Sequence, residues 1–168
     1  ELNILSARIF SRGDGVVFDS FRIRDAKAGV LPSREVREKF EKMLTEALVG
    51  NFDMAAFLIA RQKAVRPLYY PEDASLPTSF HFDNASSEAC TVIDVETADR
   101  VGLLYTLSRA LSDLNLDIVS AKIRTEMGAA LDSFYVRDVQ GGKVTDPAAL
   151  AGIEKRLQAA VQKLDAKS

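Results

Sequence analysis

The chain has 168 residues, of which 47% are hydrophobic and 27% charged, and a net charge of −2. That is an ordinary globular composition with room for one domain or two small ones. The interleaved charges exclude a basic nucleic-acid stripe, and the longest apolar run, residues 54–60, is too short to span a bilayer.

The first elements in chain order are two strands flanking a glycine-containing turn, residues 3–25. A helix follows from a Pro-Ser start at 32–33, with Val36, Phe40, Met43, Leu44, Ala47 and Leu48 on one face. Residues 51–62 predict a short extra helix, with Met54, Phe57 and Leu58 sharing a side. Pro67, Pro71 and Pro77 mark an extended linker over 60–79, which leads to a strand at 78–84. An apolar strand at 90–95 precedes a helix that starts near Arg100, with Asp99 as N-cap and Leu103, Leu104, Leu107, Ala110, Leu111 and Leu114 as its apolar face. A second strand–glycine–strand stretch covers 117–138. The last helix has Asp146 as N-cap and Pro147 at its first position, with Leu150, Ile153, Leu157, Ala160, Val161 and Leu164 inward.

Residues 3–29 and 117–142 are copies of one another. With one residue of gap, Ile4, Ser6, Ala7, Ile9, Gly15, Asp19, Ser20, Phe21, Arg24, Asp25 and Gly29 recur as Ile118, Ser120, Ala121, Ile123, Gly128, Asp132, Ser133, Phe134, Arg137, Asp138 and Gly142. The helical stripes stay in register, Phe40 with Ile153 and Leu44 with Leu157. Joining the copies gives a βαββαβ unit, an α+β ferredoxin-like layer of antiparallel sheet with helices on one face. The expected division is 1–84, a first repeat truncated at its N-terminus and closed by the strand at 78–84, and 85–168, a second repeat. The strand and helix at 90–114 could serve either copy. The first copy has no opening strand and helix, and the chain begins at Glu1 without methionine, so a fragment of a longer protein is expected. A sheet lacking a strand invites pairing with another chain.

Catalytic patterns are missing. His81 is the one histidine and reads as a strand side chain at the sheet surface, and no Ser-His-Asp elbow, zinc spacing or phosphate-cradling loop occurs. Asp94 and Glu96 share a strand face and read as solvated charges in preference to a metal pair. Asp19/Asp132 and Asp25/Asp138 recur in both copies, which points to turn capping and edge protection. Cys90 has no activating neighbour and no disulfide partner, and the latter favours a reducing compartment. No catalytic residue, metal or cofactor is assigned.

One stretch could bind a ligand. The N–H groups of Arg100, Val101, Gly102 and Leu103 open a helix, and Gly102 lets a ligand approach the backbone. A carboxylate could sit there, or Gly102 could simply let the helix pack tightly on the sheet.

Residues 92–123, VIDVETADRVGLLYTLSRALSDLNLDIVSAKI, resemble the opening of an ACT domain: an apolar strand, an Asp-Arg-Pro-Gly-Leu-Leu loop, a helix and a Leu-Asn-Ile-type entry to the next strand. More narrowly, residues 99–118, 130–138 and 82–95 are similar to the tandem ACT region of bifunctional PII-protein uridylyltransferase/uridylyl-removing enzymes. The resemblance implies a regulatory, non-catalytic module that senses an amino acid, with glutamine as ligand, in a cytoplasmic enzyme of nitrogen metabolism. PII would be a partner only through that larger enzyme, and other ACT domains would be partners in a homo-oligomer. It also implies the ligand residues: Asp99, Arg100, Val101, Gly102 and Leu103 in the loop, with Asn3 and Asp117 in the asparagine position of the two copies. Val101 stands where proline is usual and Asp117 where asparagine is usual. Asn3 both donates and accepts, so it suits glutamine better. The competing expectation is an ACT module that only associates chains, without ligand; an acylphosphatase-like hydrolase would need an arginine/asparagine cradle that the chain does not offer.

Overall fold

Ten elements were found in a computed structural model that describes residues 2–25, 31–64 and 76–166. They are β1 (Leu2–Ser11), β2 (Val17–Asp25), α1 (Arg34–Leu48), α2 (Met54–Ala64), β3 (Ser79–Asp83), β4 (Thr91–Ala98), α3 (Leu103–Asp113), β5 (Asp117–Glu126), β6 (Ala129–Arg137) and α4 (Pro147–Asp165). The strands form one antiparallel sheet in the order β2-β1-β5-β6-β4-β3. The fold is α+β and ferredoxin-like.

Alternation builds the core. In β6, Ala130, Asp132, Phe134 and Val136 are buried while their neighbours are partly exposed. Leu103, Leu107 and Leu111 of α3 and Ile153, Leu157, Val161 and Leu164 of α4 close over this face, with Ile93, Val95, Ala121 and Ile123 beneath them. The expected helix starts of α1 and α4 are found. Ser33 Oγ accepts from the Val36 N–H, and Asp146 accepts from the Ala148 and Ala149 N–H groups ahead of Pro147. Asp138 accepts from the N–H groups of Gln140 and Gly142, the turn-capping role expected of it. His81 lies exposed on β3, and Cys90 is buried.

The repeat is visible in the backbone. β1 pairs with β2 as β5 pairs with β6, and each pairing slips at the same place, between Ile4 and Ser6 and between Ile118 and Ser120. The two copies meet where β1 runs antiparallel to β5. Arg8 lies opposite its own counterpart Lys122, flanked by Ala7 opposite Ile123 and Ile9 opposite Ala121. A local two-fold relation therefore passes through that pair.

Two placements differ from the sequence reading. β3 is hydrogen-bonded to β4, on the edge of the sheet away from β1 and β2. The order β3-β4-β6-β5, with α3 and α4 above it, then makes a complete four-stranded layer, and the strand and helix at 91–113 serve the second copy. Helix α3 begins at Leu103, not near Arg100, and its N-cap is Gly102 at φ 88°, with no side-chain cap. Asp99 is not the cap because it ends the strand: its N–H donates to Gly128 O at 2.8 Å. Part of the predicted linker, residues 65–75, lies outside the described residues.

Candidate functional site

The loop between β4 and α3 is fixed at both ends. Arg100 turns back toward the protein, donating through Nη1 to Ala98 O at 2.7 Å and pairing through Nε with Asp165 of α4 at 2.7 Å. Its side chain is largely buried, so this guanidinium anchors the loop. The Leu103 N–H donates to Arg100 O at 3.1 Å, and its side chain fills the core. Of the four expected N–H groups, those of Val101 and Gly102 have no acceptor among the described residues. The left-handed backbone at 102 is the conformation that glycine adopts without strain.

Two neighbouring carboxyl groups meet at the foot of the loop, Asp99 at its first position and Asp132 on β6. Asp132 is 3% exposed on the core face of β6 and accepts from the Arg124 N–H at 3.2 Å. Burial, helped by the nearby charge of Asp99 and opposed by that one hydrogen bond, pushes its carboxyl up to about 6. Burial also raises Asp99, opposed by hydrogen bonds from the Arg100 N–H and the Thr125 side chain and by the Arg100 charge. Asp132 was expected to cap a turn or protect an edge. It instead takes up a strand N–H in the interior.

The seven predicted residues separate into two groups. Asp99 to Leu103 are contiguous at the C-terminal end of β4. Asn3 lies at that same end of the sheet, since β1 runs past its last pairing with β5, Ser6 opposite Arg124, toward the β5–β6 turn that Asp99 touches. Asp117 starts β5 at the opposite end, paired with Arg137, roughly 25–30 Å along the strand from the loop. Two neighbours were not anticipated. Gln62 of α2 donates through Nε2 to Val101 O at 3.2 Å, and the Leu58 methyl carbons lie 3.7 Å from where a Gly102 side chain would begin. Asp94, read as solvated, accepts from Ser133 Oγ at 2.6 Å, and no cluster of metal-ligating side chains occurs among the described residues.

The description "ACR family N-terminal ACT domain" fits residues 86–163. This stretch is an ACT domain. The match begins just ahead of β4 and ends in α4, so it contains the Asp99–Leu103 loop. Beyond it, nearly the whole chain is similar to proteins named bifunctional uridylyltransferase/uridylyl-removing enzyme. Identity is 39% over 158 residues with that of Azospirillum brasilense, 33% over 165 with that of Rhodospirillum rubrum and 35% over 162 with that of Novosphingobium aromaticivorans. The first match covers 92% of this chain and the other two cover 95%. The chain spans only 16% of the first relative's length and 17% of the other two. No solved structure matches. The resemblance to the ACT region of these enzymes is borne out, and with it a regulatory module as the coarse role. No described helix is long and apolar enough to cross a membrane.

Proposed function

We propose that the chain is a non-catalytic sensor module that binds an amino acid, glutamine, at the Asp99–Leu103 loop and reports it to a uridylyltransferase/uridylyl-removing enzyme. The observation that carries the reading is the pair of N–H groups of Val101 and Gly102 at the start of α3, which have no acceptor among the described residues. They offer a positive helix end for a ligand carboxylate, where Gly102 adds no side chain of its own. Asn3, at the same end of the sheet, is the residue assigned to the ligand's polar end. Asp117 is remote from this loop, so a single site per chain is proposed.

Calorimetric titration of the 168-residue chain with glutamine tests this. Binding is expected in the wild type, abolished by Gly102→Val and unchanged by Asp117→Ala. Gly102→Val puts a β-branched residue at positive φ, at a local cost of about 1–3 kcal/mol, so its fold is checked by circular dichroism. Heat from the wild type that persists in a folded Gly102→Val protein would sink the reading.

The second reading, an ACT module that associates chains without ligand, is favoured by one observation. Apolar residues of the first copy, Phe21 on β2 and Leu44 on α1, are exposed although their counterparts are buried. It predicts self-association that glutamine does not alter, which sedimentation with and without glutamine decides.

A further inference from the structure

The ligand loop is already in contact with a carboxamide. Gln62 Nε2 donates to Val101 O at 3.2 Å and lies 3.4 Å from the position of a Gly102 Cβ, with the Leu58 methyl carbons beside it. That side of the loop is therefore filled by a helix of the same chain. None of the described side chains of α2 is buried, and Ile59 is exposed. A helix seated in this way has little apolar burial to hold it and can be displaced at modest cost.

A carboxamide is also the group by which glutamine differs from glutamate: it carries N–H donors, and an ionised carboxylate carries none. A backbone carbonyl accepts from the first and repels the second. We propose that Gln62 is an internal stand-in for the ligand's side chain. The Val101 carbonyl is the acceptor that selects a carboxamide, Gln62 occupies it in the ligand-free protein, and glutamine binds by taking its place and releasing α2. This rests on the amino-acid site proposed above and adds the residue that sets its selectivity and its apparent affinity. An internal competitor lowers apparent affinity by the fraction of molecules in which it is out of the way.

The test compares the wild-type 168-residue chain with Gln62→Ala, titrated with glutamine and with glutamate. Gln62 is partly exposed, so the variant is expected to fold, and circular dichroism checks it. Loss of the competitor should tighten glutamine binding about tenfold and leave glutamate weak in both proteins. Hydrogen exchange of residues 54–64 in the wild type should become faster when glutamine is added. Glutamine affinity that is unchanged or lower in Gln62→Ala, protection of α2 by glutamine, or equal affinity for glutamate would each overturn the role of Gln62 and leave the site standing. Binding by Gln62→Ala alone would support it strongly. Absence of binding by both proteins would overturn the amino-acid site itself, and the role of Gln62 with it.

Discussion

Asp132 is a buried acid whose place in the repeat was legible and whose state was not. Its recurrence as Asp19/Asp132 before Ser-Phe marks a structural residue, and the structure confirms a backbone partner in the Arg124 N–H. What the linear pattern does not carry is burial on the core face beside Asp99, because that depends on how the helices close over the sheet. The consequence is measurable. With its carboxyl raised from the ordinary 3.8 to about 6, Asp132 is protonated in both folded and unfolded chains below about pH 3. Between pH 4 and 6 the unfolded chain ionises first, so the fold loses stability as pH rises, and the loss levels off above pH 6. Asp132→Asn keeps an oxygen for the Arg124 N–H and never ionises. It should unfold at higher denaturant concentration than the wild type at pH 8, by about 3 kcal/mol, with the difference vanishing near pH 3. Denaturant melts at the two pH values check this, and an equal offset at both would show that charge is not the cause.

At the scale of elements, local chemistry was readable and distant packing was not. The α1 and α4 starts follow from Ser33 and Asp146 because a cap needs only its own first turn. α3 begins three residues beyond the start its sequence suggests because Asp99 has two competing uses, cap and strand end, and strand pairing with the β5–β6 turn wins. The loop itself was legible in Asp99–Leu103, whereas Gln62 and Leu58 were not, since nothing in the sequence of α2 says which surface it meets. The repeat also exposes what each copy possesses. Phe134 is 1% exposed in the core, while its counterpart Phe21 is 42% exposed; Leu157 is 1% exposed and its counterpart Leu44 is 45% exposed. Identical positions in one motif should therefore carry unequal weight. Phe134→Ala should cost about 3–5 kcal/mol and Phe21→Ala under about 1 kcal/mol in chemical denaturation. Comparable losses would mean that Phe21 is covered in solution, by a second copy or by a strand and helix like β4 and α3.

At the scale of the whole molecule, the two copies share one sheet, and a boundary at residue 84 cuts between β3 and β4, which are hydrogen-bonded neighbours. The joint between the copies is the β1–β5 ladder, and its two-fold relation has an electrostatic cost. Any residue at the centre of such a relation meets its own counterpart, so repetition of a basic residue there sets like charges face to face. Arg8 opposite Lys122 is that case, and both side chains are exposed. Lys122 relieves part of the repulsion by donating to Tyr135 Oη at 2.8 Å and lying over its ring, whereas Arg8 has no ion pair among the described residues. Directly opposed like charges on a strand pair destabilise it, and opposite charges contribute about 0.2–1 kcal/mol. Arg8→Glu should then strengthen the joint, raising the thermal midpoint by a few degrees at low salt, with the gain shrinking as ionic strength rises. The paired change Arg8→Glu with Lys122→Glu restores like charges and should remove the gain. A gain that survives in the double variant would place its origin in strand propensity, away from the charge at the two-fold position.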